Sequence, residues 1–253
     1  MHPFPISPPE LLRRRVLFAV DVIDPLTSAR VSAGIRVTAD ELAGRPIVNR
    51  SGYFVWLAEA DTAPEKVTVR VIPEKLPFEE EIRDLTDLPP PPPADETQPF
   101  TLDKLDKRVL RIVLRPTAVY PFPDDATVIY GCMRETEADD APPVPGLDVR
   151  LQWLEPKRWL EDDTFAAAEW KSSPAAGLTT AAGEFAAALC LPNGAKTEGG
   201  PSKVTVRVLF QRDTISKCTA KQETLPGSRV VPQGAVGKSG VLAWNKLNPL
   251  PLQ

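Results

Sequence analysis

Prolines constrain this sequence more than any other residue type. The chain contains 29 prolines among 253 residues, against 14 glycines. This is about twice the usual proline content of a globular protein. Because proline fixes φ and lacks a backbone donor, it is disfavoured inside helices and in central strands. We therefore expect short strands joined by proline-bearing loops, and not a bundle of long helices.

Apolar residues alternate along several short segments, which is typical of strands with one buried face. In residues 66–71 (KVTVRV), three valines alternate with Lys66, Thr68 and Arg70. The segment 157–171 differs, because its composition is typical of a short helix or an ordered loop. With 42% hydrophobic residues the chain can form a core, and the pattern predicts an all-β protein. The alternating segments are 15–23, 34–39, 53–59, 66–71, 109–115, 127–133, 147–153, 183–191 and 203–210.

An internal repeat accompanies this pattern. The hexamer at 66–71 recurs letter for letter at 203–208, and each copy follows a strand start in which glycine precedes an aromatic residue. A further strand with a glycine near its beginning, SAGIRVTA or VPGLDVRLQW, precedes each strand start. A single hexamer recurs by chance among β-proteins, but three correspondences in the same order favour a duplicated unit. The strand starts contain Gly52 with Phe54 and Gly183 with Phe185.

The repeat predicts two tandem β-sandwich domains. A run of prolines interrupts the first, and a tryptophan-containing segment interrupts the second. The predicted divisions are a proline-rich arm at 1–13, domain 1 at 14–116 with a proline-rich insertion at 73–107, a linker at 117–125, and domain 2 at 126–253 with an insertion at 154–178 and a loop-rich tail.

The segments PGLDVRL and TTAAGEF, matched in the first copy by VNRSGYFVWL, resemble the carboxypeptidase regulatory-like family. That family has a small transthyretin-like β-sandwich fold. The resemblance implies a domain that folds, spaces and docks without catalysis, so it transfers no active-site residue. At the strand starts, Gly52 and Gly183 would supply a turn with positive φ, and Phe54 and Phe185 would fill the core.

The side chains available for chemistry are few. The lone histidine is His2, so an internal Ser-His-Asp or Cys-His arrangement and a multi-histidine metal site are excluded. Cys132, Cys190 and Cys218 form no Cys-x-x-Cys pair and are expected to be reduced thiols. We predict no cofactor and no metal. Lys238-Ser239 is the remaining candidate for an enzyme, but neighbours on a strand point to opposite faces.

Charge and hydropathy exclude other classes of partner. The formal net charge is −4, without the surplus of basic residues that nucleic-acid binding uses. No stretch reaches the roughly 18 apolar residues of a membrane helix. The N-terminal residues also lack the pattern of a signal peptide, so we expect a cytoplasmic protein.

The candidate contact residues are Pro89, Pro90, Pro91, Pro92 and Pro93, which favour a polyproline II rod, together with Trp159 and Trp170. The favoured interpretation is a non-enzymatic structural or adaptor protein that contacts other proteins in a larger assembly. By analogy this assembly could be a contractile, phage-tail-like injection particle. The alternative is a carbohydrate- or surface-binding module, which predicts a line of exposed aromatic side chains.

Overall fold

The regular structure of the described residues consists almost entirely of strands, which confirms the predicted all-β sandwich class. The computed structural model describes residues 16–42, 44–58, 64–86, 88, 108–155, 158–159, 165–166, 169–191, 203–235 and 240–250. Among these residues the one helical element is a 3-10 helix at Trp244–Lys246. The described part divides into two compact units.

Unit 1 comprises Met1–Val22, Arg30–Ile72 and Glu81–Ile112. Its strands form a four-stranded sheet of order β3-β4-β1-β7 and a three-stranded sheet of order β2-β5-β6. The strands are β1 (Val16–Ile23), β2 (Ile35–Ala39), β3 (Ile47–Val48), β4 (Phe54–Leu57), β5 (Lys66–Pro73), β6 (Glu81–Thr86) and β7 (Val109–Val113).

Alternation places the apolar rows of both sheets in the core of unit 1. Phe18 on β1 stacks on Trp56 of β4, with ring centroids 4.7 Å apart and planes within 7°. On β5 the valines at 67, 69 and 71 are fully buried, while the side chains between them are not. Burying each such side chain stabilises the fold by about 1.5–3 kcal/mol.

Two carboxylates of unit 1, those of Asp21 and Glu81, are completely buried. Asp21 on β1 has no exposed surface, and it accepts a hydrogen bond from Arg30. The guanidinium of Arg111 lies 3.5 Å from its second oxygen. A buried carboxylate requires such compensation, since removing one partner of a buried pair is strongly destabilising.

Unit 2 comprises Ile23–Ala29, Pro73–Glu80 and Val113–Gln253. One sheet has the order β12-β9-β14-β15-β19 with β16 also paired to β14, and another has β13-β8-β17 with β18 also paired to β8. The two short strands β10 and β11 pair with each other. The strands are β8 (Thr127–Arg134), β9 (Asp148–Glu155), β10 (Arg158–Trp159), β11 (Phe165–Ala166), β12 (Glu169–Leu178), β13 (Glu184–Leu189), β14 (Val204–Arg212), β15 (Ile215–Cys218), β16 (Gln222–Thr224), β17 (Arg229–Val230), β18 (Val241–Ala243) and β19 (Asn248–Pro249).

The core of unit 2 lies between its two larger sheets. Phe185 on β13 contacts Phe210 on β14 edge to face, with ring centroids 5.0 Å apart. Leu151 and Trp153 on β9 face the same cluster from the six-stranded sheet. The prediction that Trp153 is a core residue is therefore confirmed.

The two units have several strand pairings in common. In unit 1, β1 pairs antiparallel with β4, and β5 with β6; in unit 2, β8 pairs antiparallel with β13, and β14 with β15. In unit 2, β17 and β18 run parallel to β8. The three correspondences in the sequence fall on equivalent strands, namely β2 with β9, β4 with β13, and β5 with β14.

Both predicted insertions contain strands that sequence reasoning missed. β6 lies inside 73–107 and pairs along its whole length with β5. β12 lies inside 154–178 and pairs with β9. The helix or loop predicted for 157–171 is wrong where the structure describes it, because β10, β11 and the beginning of β12 are extended. Long-range pairing overrides the local composition here.

The predicted linker at 117–125 lies within unit 2. Tyr120 and Phe122 are buried, and their rings contact each other at 5.0 Å. Tyr120 also donates a hydrogen bond of 2.6 Å to Asp24. Burial and this carboxylate raise the pKa of Tyr120 well above its ordinary value, so the phenol stays protonated and keeps its role as a donor.

Candidate interaction surface

Trp170 lies on the outer face of the six-stranded sheet of unit 2, on the edge strand β12. It stands opposite Leu154 of β9, whereas the next residue, Lys171, stands opposite the core residue Trp153. Successive side chains of a strand point to opposite faces. Trp170 therefore points away from the core, and its side chain is only partly buried.

The edge strand carries a break in its pairing close to this tryptophan. The register between β12 and β9 shifts between Ser172 and Ala176, and Pro174 lies in the shifted stretch. Proline is tolerated at such bulges and on edge strands because no ladder hydrogen bond is required there. The bulge also protects this edge against pairing with another strand.

A cation lies on the indole ring of Trp170. The guanidinium carbon of Arg207, on β14, is 4.1 Å from the ring centroid, and the ammonium of Lys221 is 5.9 Å away. A cation within about 6 Å of a tryptophan centroid is attracted by the electrons of the ring. The contact fixes one face of the indole and holds the plane of the guanidinium in place.

A chain of hydrogen bonds between side chains also holds the guanidinium of Arg207 in place. Arg207 Nε donates to Gln152 Oε1 at 2.8 Å, and Gln152 Nε2 donates to Ser172 Oγ at 2.9 Å. These residues stand directly opposite one another on the three neighbouring strands β12, β9 and β14. The glutamine is only 9% exposed, so this chain of hydrogen bonds lies beneath the surface that Trp170 and Arg207 present. We call Gln152, Trp170, Ser172, Arg207 and Lys221 the tryptophan–arginine surface.

Sequence reasoning selected Trp170 but missed the rest of this surface. Arg207 lies in the repeated hexamer, where an arginine also occupies the first copy. Because the two hexamers are identical, the hexamer sequence does not distinguish Arg207 from Arg70. The pairing of β12 with β9 brings Trp170 and Arg207 together, and the helix or loop predicted for 157–171 hid that pairing.

The structure does not describe the other predicted contact residues at this surface. Pro89, Pro90, Pro91, Pro92 and Pro93 lie outside the described residues. Trp159 is described by its backbone, which pairs with Phe165 between β10 and β11, and its side chain lies outside the description. Their role in partner contact stays a prediction.

The residues predicted to define the fold are found at turns and in cores. Gly52 and Gly183 have φ angles of 83° and 77°, values that side chains with a Cβ rarely adopt. Phe54 and Phe185 are buried and directly follow these turns at the beginning of β4 and β13.

A cavity of about 440 Å³ lies in unit 2 beside β15 and β18. Its charged lining residues have partners of their own. Arg134 Nη1 donates to the carbonyl oxygens of Asp139 and Ala141, at 2.7 and 3.1 Å, and Lys246 lies 3.7 Å from Glu137. The cavity is large enough for a small molecule.

The described cysteines are free thiols. Burial, together with the carboxylates of Asp125 and Asp24, raises the pKa of Cys190. A thiol with a raised pKa is a poor nucleophile. Within the described ranges, no group of three or more histidine, cysteine, aspartate or glutamate residues could hold a metal ion. No helix of these ranges is long and apolar enough to cross a membrane.

No protein-family model matches the sequence, and no curated protein matches it. Among solved structures, the Bacillus anthracis TIE protein is similar at 10% identity and a TM-score of 0.23, over 86% of this chain and 34% of the other. The chain thus spans about a third of that protein. Shaft pilin SpaA of Lactobacillus rhamnosus GG is similar at 9% identity and TM-score 0.23, over 89% and 100% of the two chains. GBS52, the minor pilin of Streptococcus agalactiae, is similar at 7% identity and TM-score 0.23, over 93% and 98%. At these values the likenesses identify no family.

Proposed function

We propose that this protein is a non-enzymatic structural or adaptor protein whose β-sandwich units contact other proteins in a larger assembly. The observation that supports this proposal is the outward position of Trp170. The guanidinium carbon of Arg207 lies 4.1 Å from the centroid of its ring and holds it in place. Tryptophan and arginine are the residues most enriched among energetically dominant positions of protein interfaces. A tryptophan that is already ordered before binding loses little conformational entropy on binding.

The test is purification of the full chain from its native host, followed by size-exclusion chromatography with light scattering. We expect a complex larger than the 27.7 kDa of the single chain, and we expect the Trp170→Ser variant to lose it. Ile215→Ser is the matched control, because Ile215 is an exposed apolar residue on β15 of the same sheet. Elution as a single chain under all conditions would contradict the proposal.

The finer form of the proposal places the chain in a contractile, phage-tail-like injection particle that is assembled in the cytoplasm. Its support is an analogy with tandem β-modules in such particles. Genes for sheath, tube or baseplate proteins beside this gene would strengthen it, and an isolated metabolic operon would contradict it. Membership of the carboxypeptidase regulatory-like family likewise stays a proposal, supported by the Gly-aromatic starts of β4 and β13.

The carbohydrate-binding alternative makes a different prediction for the same surface. Sugar rings stack on open aromatic faces, whereas one face of Trp170 is covered by a guanidinium. Among the side chains described on this outer face, Trp170 is the aromatic one. Capture of neutral oligosaccharides on a glycan array, lost in Trp170→Ser, would favour the alternative over the adaptor function.

A further inference from the structure

The repeated hexamer places two arginines at equivalent positions with different surroundings. Arg70 on β5 of unit 1 forms an ion pair with Asp40, with 3.1 Å between Nε and Oδ2. Arg207 on β14 of unit 2 has no carboxylate partner among the described residues, and the acceptor of its Nε is a neutral amide. Among the described residues, the charge of Arg207 is therefore left without a counter-ion such as the one that Asp40 provides for Arg70.

Two further cations on this face also form no ion pair with a described carboxylate. Arg150 on β9 and Lys221 beside β16 are exposed, and none of the described carboxylates pairs with them. The acidic residues nearby are already engaged, since Glu223 lies 3.4 Å from Lys203 and Asp148 lies 3.7 Å from Arg115. A chain with a net charge of −4 thus presents, on one face, three cations that form no ion pair with a described carboxylate.

The arrangement of these cations matches an extended peptide. Arg207 stands opposite Gln152, and Arg150 lies two residues along the same strand, so the two arginines are diagonal neighbours. Diagonal positions across an antiparallel pair lie about 7–8 Å apart. Alternate side chains of an extended chain are separated by about 6.5 Å. Two acidic side chains in the pattern acidic-x-acidic could therefore reach both arginines.

We propose that the tryptophan–arginine surface binds a carboxylate-rich, extended segment of a partner protein, with Arg207 as the principal carboxylate ligand and Arg150 and Lys221 beside it. This rests on the adaptor function proposed above. Guanidinium groups bind carboxylates with two parallel hydrogen bonds, and the contacts with Trp170 and Gln152 order Arg207 in advance. A protein segment fits better than an acidic polysaccharide, because the guanidinium of Arg207 already covers one face of the Trp170 ring on which a sugar would stack.

The test uses the full chain and a fluorescein-labelled 11-residue peptide of alternating glutamate and serine, followed by fluorescence polarisation at low salt. We expect binding that weakens as salt is raised and no binding of the matched glutamine–serine peptide. Arg207→Gln should weaken binding by about tenfold, the loss typical of a charge-assisted hydrogen bond. Arg70→Gln is the matched control from the first copy of the hexamer and should leave binding unchanged.

Two further variants keep the test decisive. Arg207→Lys retains the charge but not the planar fork, so its affinity should fall between those of wild type and Arg207→Gln. If Arg207→Gln does not fold, Arg150→Gln and Lys221→Gln should each weaken binding by about threefold, as expected for exposed charges. The proposal is overturned if the glutamate peptide does not bind, or if Arg70→Gln and Arg207→Gln weaken binding equally. It is also overturned if oligogalacturonate binds more tightly than the peptide.

Failure of this inference can be told apart from failure of the adaptor function. If the native complex is lost in Trp170→Ser but is insensitive to salt and to Arg207→Gln, the adaptor function stands and the acidic partner is wrong. If the chain elutes alone in all conditions, the adaptor function itself is wrong.

Discussion

The hexamer KVTVRV occurs on β5 of unit 1 and on β14 of unit 2, and its two faces behave differently in this comparison. On the inward face the valines are buried in both units. On the outward face, Arg70 pairs with Asp40, whereas Arg207 lies on Trp170 and pairs with none of the described carboxylates. Identical letters thus give the same core and two different surfaces.

This difference shows that the two faces of a strand are determined by different parts of the sequence. Alternation of apolar residues is local, so it determines the inward face wherever the strand pairs. The outward face depends on which side chains the neighbouring strands bring alongside. β2 ends beside Asp40 in unit 1, and β12 brings Trp170 in unit 2. The two copies of the hexamer keep the same buried face while their outer faces differ.

The largest expected effect comes from replacing the core phenylalanines at matching positions of the two units. Phe54→Ala and Phe185→Ala should each destabilise their own unit by about 3–5 kcal/mol. Phe185 should lie at the upper end because its contact with Phe210 adds about 0.5–1.5 kcal/mol. Urea unfolding followed by circular dichroism and tryptophan fluorescence measures both. Ile47→Ala, at an exposed position of β3, is the control, and a cost below about 1 kcal/mol for either phenylalanine would contradict an equivalent core role.

The two turn glycines, Gly52 and Gly183, have similar positive φ angles but different neighbours, so alanine should cost different amounts of stability at the two positions. A Cβ on Gly183 would meet the backbone carbonyl of Met133 and lie 3.1 Å from Pro143, whereas on Gly52 it would lie 3.0 Å from the side chain of Arg30. Both substitutions to alanine carry a conformational cost of about 1–2 kcal/mol. For Gly183 the forced backbone shift should add about 1–3 kcal/mol. Thermal unfolding of Gly52→Ala and Gly183→Ala tests this order, and equal losses would show that the backbone of β8 yields freely.

The sequence predicts the duplicated strands because each carries its own alternation, but it hides two strands that depend on partners. β6 begins with Glu81, a fully buried carboxylate that follows two other glutamates, so it has the composition of a solvated loop. β12 contains Pro174 and no valine, isoleucine or threonine, so it lacks the signature of a strand. Only pairing with β5 and with β9 makes these segments extended. Trp170 could be selected as a candidate from its letter alone, whereas Arg207 could not.

Double-mutant cycles measure the two outward arginines directly. The Arg70–Asp40 pair is exposed, so its coupling should be about 0.2–1 kcal/mol and should decrease in high salt. The Arg207–Trp170 contact should give about 0.5–1 kcal/mol, with a smaller dependence on salt because it involves no second charge. Unfolding of the single and double variants in low salt and in 1 M salt (about a 3 Å Debye length) gives both couplings. Identical salt dependence would show that the two arginines are in equivalent environments after all.

The smallest expected effect concerns the lysine of the hexamer in unit 1. Lys66 lies 2.7 Å from Asp84, and Thr68 donates to the same carboxylate at 2.9 Å. These hydrogen bonds hold the pKa of Asp84 below its ordinary value, and the pKa of Lys66 is raised in turn by Asp84. Because the pKa of Asp84 is lower in the folded chain than in the unfolded one, the contact stabilises the fold above pH 4 or so. That contribution is lost as the pH falls through the folded pKa.

Titration of the Asp84 carboxyl carbon by NMR isolates this effect. Lys66→Gln should raise the pKa of Asp84 towards the ordinary value of about 3.9, because its strongest donor is gone. Lys203→Gln changes the same letter of the hexamer in unit 2, where the nearest acid is Glu223, and should leave the titration of Asp84 unchanged. An Asp84 titration unaffected by Lys66→Gln would mean that this exposed pair is not formed in solution. The Arg70–Asp40 pair, which Arg207 lacks among the described residues, would then be the ion pair that remains on the outer face of β5.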